Sequence, residues 1–231
     1  APDVRWFPAA RAWRHLRGWE RRGSPVMTTA MKPIRIVTFT TLYPSVVRPR
    51  HGVFVEQRLR QLIAAGGVAA KVVAPVAWYP CALRWPARHA QLAATPEREE
   101  RHGIEVLHPR YATVPKLTNW LNPLAIAAAG RREIRRLVDR GTSVELIDAH
   151  YFYPDGAAAV LIARSLGLPV VVTARGSDLN LHARKPVERT WVRWAMRHCD
   201  AVITVSQSLA TLAVELGAEL DRVHVLPNGV D

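Results

Sequence analysis

Cysteine is scarce in this chain, acidic side chains are few, and no apolar run is long. Each shortage excludes something. The two cysteines, Cys81 and Cys199, lie far apart in unrelated contexts, which argues for reduced thiols and against a disulfide or zinc framework. No apolar stretch is long enough to span a bilayer, and no basic, apolar, small-residue succession marks a secretory signal. The expectation is a cytoplasmic protein, at most peripheral at the inner face of the cell membrane. The sequence holds no GxGxxG, which lowers the case for a dinucleotide-dependent oxidoreductase. It also shows no aromatic-rich RNA signature and no zinc-finger spacing, so no specific nucleic-acid partner is expected.

What is present in excess is arginine. Lysine and arginine number 32 against 19 acidic residues, a net charge of +13 on 231 residues. Most of the arginines fall on expected helix faces and read as solvated decoration. Anionic membrane surfaces and phosphorylated substrates stay compatible with that charge.

Residues 1–30 differ from the rest, with Arg5, Arg11, Arg14, Arg17, Arg21 and Arg22 interleaved with Trp6, Trp13 and Trp19. Trp6, Trp13 and Leu16 share a helical face, as an interfacial helix would require, but Pro8, Gly18, Gly23 and Pro25 break it. The segment is expected to be a disordered extension that fold and activity do not need.

From residue 31 strands and helices alternate. Ile34 to Thr40 is the first β-branched run, and Thr41 to His51 is a loop. Val53 to Ala65 has helical spacing closed by Gly66 and Gly67, and Lys71 to Val76 is the next strand. Residues 77–101, with Pro80, Pro86, Pro96, Trp78 and Trp85, read as a surface excursion: either an acceptor or membrane contact or a plain insertion. A short strand at 104–109 precedes a helix over 124–140 whose basic face carries Arg131, Arg132, Arg135 and Arg136. Strands over 144–149, 169–173, 201–205 and 223–226 then alternate with helices over 157–165, 190–197 and 207–216, the last capped by Ser206. The pattern predicts an α/β fold with a single Rossmann-like, doubly wound, mostly parallel sheet covered on both faces.

In such sheets ligands collect at the carboxyl ends of the strands. The run DAHYFYPDG at 148–156 places Asp148 and His150 at one such end, and Arg175, Gly176, Ser177 and Asp178 follow the next. Gly52 opens the first helix, where free N–H groups and the helix dipole favour an anion. A buried structural histidine and a simple glycine turn are the alternatives.

Five stretches carry a resemblance: TLYPSVVRPRHGVFVEQ at 41–57, DAHYFYPDG at 148–156, VVVTARGSDLN at 170–180, DAVITVSQSL at 200–209 and VHVLPNGVD at 223–231. In order and spacing they resemble the amino-terminal half of a family 4 glycosyltransferase of the GT-B fold, most closely the bacterial exopolysaccharide and glycoconjugate branch. The resemblance implies an acceptor-side domain over 31–226, an interdomain linker beginning at 227–231, and a donor-binding second domain absent from this chain. It implies a retaining transfer with no metal or other cofactor, from a UDP- or GDP-sugar to a glycan or lipid-linked acceptor, with peripheral contact to anionic membrane. By the same resemblance His150 is the catalytic contact near the anomeric centre. Gly52, with His51 in place of the family's first glycine, faces the donor phosphates. Arg175, Gly176, Ser177 and Asp178 serve the acceptor or leaving group. The family's Glu-x7-Glu motif would lie beyond Asp231; Glu97 and Glu105 match its spacing by chance. A stand-alone acceptor-binding subunit with a separate donor-binding partner, or a GT-B epimerase fragment, are the alternatives, and the half-domain alone is expected to be inactive.

Overall fold

Runs such as IRIVTF and VVVTA supply strands that can be buried on both faces. The computed structural model describes residues 32–79, 92–114 and 119–228. The strands are β1 Ile34–Phe39, β2 Val68–Val73, β3 Val76–Trp78, β4 Arg98–Arg101, β5 Ile104–Leu107, β6 Arg110–Ala112, β7 Leu146–His150, β8 Val170–Ala174, β9 Ala201–Thr204 and β10 Val223–Val225. The helices are α1 Val53–Ala64, α2 Asn122–Asp139, α3 Ala157–Leu166, α4 Ser177–Asn180, α5 Pro186–His198 and α6 Gln207–Glu215. The main sheet runs β10-β9-β8-β7-β1-β2-β5-β4, and β3 pairs with β6 in a small sheet of its own. Every pairing is parallel except β4 against β5.

The two faces of the sheet are covered unequally. Val37 and Phe39 of β1, Ile147 and Ala149 of β7 and Val170 and Val172 of β8 pack with residues of α2, α3, α5 and α6 in the main core. Ile36, Val72 and Val106 point the other way and meet Val55 and Leu59 of α1. Val171, Ala201 and Ile203 form a third cluster built from strand residues. Both faces were expected to carry helices; among the described α-helices α2 to α6 all contribute to the main core, and α1 alone packs on the other face. On the crowded face a Cβ at Gly130 would stand 2.4 Å from Phe39 Cε2 and 2.9 Å from Ile162 Cδ1. That missing side chain is what lets α2 approach β1 and α3 so closely.

Several boundaries differ from the sequence expectation. The strand expected at 71–76 is two strands, β2 and β3. The excursion expected over 77–101 ends in β4, whose sequence REER has no apolar face, and β6, RYA, was not expected either. Both α2 and α5 start earlier than expected, each with proline in its first turn, where a missing N–H costs nothing. Ser206 does cap α6, its hydroxyl accepting from the Leu209 N–H at 3.3 Å. Cys199 is a free, buried thiol pushed up to about 12 by burial. Cys81, Trp85 and the whole of the expected amino-terminal extension, residues 1–30, lie outside the described residues.

Candidate functional site

The carboxyl ends of β1, β7, β8 and β10 bring together Phe54 of the α1 amino terminus, His150, Arg175 and Asn228. His150 is 1% exposed, so what covers it decides what it can do. Its Nδ1 lies 3.1 Å from Nη2 of Arg175, and its Nε2 lies 3.2 Å from Oδ2 of Asp148. A guanidinium can only donate, so Nδ1 accepts and the proton sits on Nε2, directed at the Asp148 carboxylate. Burial pushes the imidazole below its ordinary range, and Arg175 and Arg58 add to this against the pull of Asp148. His150 is therefore neutral. Burial alone would raise Asp148, but the interaction with His150, with Arg58 and Arg175, outweighs it and holds the carboxyl below its usual range.

Arg175 is the lid on this pair. Its Nη1 donates to Asn228 Oδ1 at 2.7 Å, and its guanidinium carbon lies 5.0 Å from the centre of the Phe54 ring, a cation–π contact. Burial, then the charge of Arg58, lowers Arg175 to about 10, which leaves it cationic at neutral pH. Its Nε is buried without a hydrogen-bond partner among the described residues. The charges of Arg58 and Arg175 both act on Asp148, and that of Asp178 acts on Arg175 as well, so Arg175 is the cation of this cluster best placed to meet an anionic ligand or leaving group at the edge.

Gly52 caps α1 with φ 72°. A Cβ there would lie 2.1 Å from the Leu42 carbonyl oxygen, so only glycine fits, and the reason is backbone packing against the preceding loop. His51 is half-buried in that loop and pushed down by burial, then by Arg48, against a hydrogen bond to the Thr41 backbone; its described neighbours are not the His150 and Arg175 pair.

The loop after β8 is built differently from expectation. Asp178, expected to contact the acceptor, is fully buried. Its carboxylate accepts from the backbone N–H groups of Phe152 at 2.9 Å, Arg175 at 3.1 Å and Gly176 at 2.8 Å. It holds the loop that aims Arg175 and has no free edge for a ligand. Gly176 supplies the turn at φ 120°, and Ser177 hydrogen-bonds the Tyr151 hydroxyl.

Two participants were missed. Arg58 looked like helix decoration, and nothing local distinguishes it. Asp155 is fully buried and accepts from Thr40 Oγ1 at 3.0 Å, from Thr41 Oγ1 at 3.0 Å and from the Thr41 N–H at 2.6 Å. It ties the turn after β7 to the loop whose Leu42 carbonyl packs on Gly52. Burial raises its carboxyl to about 7 against those hydrogen bonds. Among the described residues no group of three or more His, Cys, Asp or Glu side chains could hold a metal ion, and no helix is long and apolar enough to cross a membrane.

The family model described as Glycosyltransferase Family 4 matches residues 81–231. A protein of Bacillus subtilis named as a teichuronic acid biosynthesis glycosyltransferase, TuaC, is 30% identical over 200 residues, covering 85% of this chain and 50% of its own length. An uncharacterized glycosyltransferase of Methanocaldococcus jannaschii is 27% identical over 100 residues, covering 43% of this chain and 28% of that protein. The chain thus spans half the length, or less, of these relatives. Among solved structures, a UDP-glucosyltransferase from Polygonum tinctorium matches with TM-score 0.51 and 14% identity, over 88% of this chain and 53% of that one. A protein of Listeria monocytogenes named as a UDP-N-acetylglucosamine 2-epimerase matches with TM-score 0.51 and 12% identity, over 84% and 45%. At such identities the likeness is one of fold.

Proposed function

Because the chain belongs to glycosyltransferase family 4, we propose that it forms the acceptor-side half of a glycosyltransferase that moves a sugar from a UDP- or GDP-sugar to a glycan or lipid-linked acceptor. Transfer retains the anomeric configuration and uses no metal. The donor is held by a second domain, supplied in the same polypeptide or by a partner. The observation that carries this reading is the convergence of the α1 amino terminus, His150 and Arg175 at one sheet edge in a chain with this family match.

In this reading the chain's groups work in relay. Asp148 fixes the tautomer and orientation of His150, and His150 holds Arg175 through Nδ1. Arg175 is the outermost of the three, and its fixed positive charge stabilises negative charge that develops on the departing diphosphate. When a sugar occupies the edge, Arg175 turns from His150 to the ligand and uncovers the imidazole for the sugar hydroxyls. Asn228 takes part in setting Arg175 before that exchange.

The exposed Trp78 and Trp120 support contact with an anionic membrane surface carrying a lipid-linked acceptor, with the protein at the cytoplasmic face. The test is sugar transfer from a panel of UDP- and GDP-sugars, with chelator present, by the protein provided with its donor-binding domain. Product with the donor's anomeric configuration supports the reading. Absence of transfer from every nucleotide sugar, or loss of transfer on chelation, contradicts it.

A further inference from the structure

On the opposite side of the sheet from α1, a cleft of about 490 Å³ runs between the flank of α2 and the β5–β4 edge. Sequence periodicity grouped Arg131, Arg132, Arg135 and Arg136 as one basic face. The structure divides them: Arg132 and Arg136 line the cleft with Arg140, while Arg131 and Arg135 do not. Positions 132, 136 and 140 are successive i, i+4 places on one helix stripe, carried one residue past the end of α2. Arg98 and Arg110 complete the basic lining, against two glutamates, Glu97 and Glu133.

Part of this charge is answered within the fold. Arg136 pairs with Glu133 at 3.0 Å and Arg98 with Glu105 at 3.2 Å. Arg110 donates to the carbonyls of Leu92 at 2.8 Å, Ala93 at 3.3 Å and Thr95, which fixes its guanidinium in the wall. Arg132 and Arg140 have no carboxylate within ion-pair distance among the described residues. Five arginines against two glutamates leave the lining with a positive excess; a concave surface with such an excess concentrates the field and draws counter-ions, and the volume is in the range of small-molecule sites.

Arg132 and Arg140 are eight residues apart, about 12 Å along a helix axis. Such spacing suits a ligand with acid groups distributed along its length rather than one compact anion. Guanidinium forks pair with carboxylates and phosphates alike, and Leu107 and Pro109 offer an apolar wall. We propose that this cleft binds an acidic oligosaccharide, the already built part of the acceptor, with Arg132 and Arg140 as its anchors. The proposal rests on the glycosyltransferase reading for the identity of the ligand but needs neither donor nor turnover for its test.

The test is calorimetric or NMR titration of the full chain with oligogalacturonate, with the neutral maltooligosaccharide of equal length and inorganic phosphate as comparison ligands. The variants are Arg132→Gln with Arg140→Gln, and separately Arg131→Gln with Arg135→Gln, which lie off the cleft. Because all four arginines are exposed, both double variants should fold, which their amide spectra check. Expected are at least tenfold tighter binding of the acidic oligosaccharide than of the neutral one, a tenfold or greater loss in the Arg132 and Arg140 variant, and no change in the Arg131 and Arg135 variant. Equal binding of acidic and neutral ligands, competition by inorganic phosphate at equal concentration, or equal loss in the two double variants would each overturn the proposal. Failure of this binding with sugar transfer intact would leave the glycosyltransferase reading standing.

Discussion

Nδ1 of His150 accepts a hydrogen bond from Nη2 of Arg175 at 3.1 Å while Nε2 faces Asp148 at 3.2 Å. An anion, a neutral imidazole and a cation thus form a line from the sheet interior to its edge. The geometry requires the imidazole to be neutral with its proton on Nε2.

That protonation state is directly observable. In imidazole NMR spectra, His150 should show the Nε2–H tautomer at neutral pH and titrate below the ordinary histidine value of 6.5. Replacing Arg175 with glutamine removes a cation that disfavours the imidazolium, so the titration should move upward. A downward or null shift would mean that Arg175 does not act on His150 electrostatically.

Gly52→Ala places a Cβ 2.1 Å from a carbonyl oxygen at positive φ, and backbone cannot step aside as a side-chain tip would. The expected loss is at least about 2 kcal/mol, combining left-handed strain with overpacking. Gly66→Ala is the control, since φ is 78° there but nothing lies within 4 Å, and its cost should stay near the conformational term of about 1–2 kcal/mol. Urea unfolding of both variants checks the ranking; equal losses would remove the steric reason for glycine at 52.

Gly130→Ala sets two effects against each other. Alanine is favoured in a helix by about 1 kcal/mol, whereas a Cβ 2.4 Å from the Phe39 ring costs about 1–3 kcal/mol. The ring is packed in the core and cannot withdraw, so net destabilisation is expected in the same unfolding measurement. A stabilised variant would show that α2 has room to shift.

Asp155 makes stability depend on pH in an unusual direction. Its folded value of about 7 lies above the ordinary 3.8, so the folded state binds the extra proton. The contribution is complete below about pH 4, declines as pH rises, and is gone above about pH 7. Asp155→Asn cannot ionise, so the stability difference, wild type minus variant, should fall between pH 5 and pH 7.5. Parallel stability profiles for the two proteins would refute the assignment.

The sequence made the sheet legible where burial imposes a pattern. The apolar runs of β1, β7, β8 and β9, the glycine-closed α1 and the Ser206 cap could all be read locally. β4 and β6 could not, because REER and RYA lie on half-exposed strands with no apolar alternation to mark them. The positions of His150 and Arg175 followed from their strand ends, but their burial and mutual hydrogen bond are tertiary facts. Asp178 looked like a ligand contact because a polar residue in a loop carries no sign of the three N–H groups that will occupy it. Asp155 was in plain view in the 148–156 run, yet its partners Thr40 and Thr41 are more than a hundred residues away. The arginines of α2 had the right period, but only the neighbouring edge strands show which of them share a cleft.

The most direct test of the central claim is sugar transfer by the protein with its donor-binding domain, comparing wild type with His150→Ala and Arg175→Gln at matched stability. The expected result is a drop in kcat of about 100-fold or more in each variant, the scale of removing one fixed electrostatic contact at a reacting centre, with the urea midpoint of Arg175→Gln little changed. Turnover unchanged in both variants would contradict the account and make the Asp148, His150 and Arg175 line a structural element only.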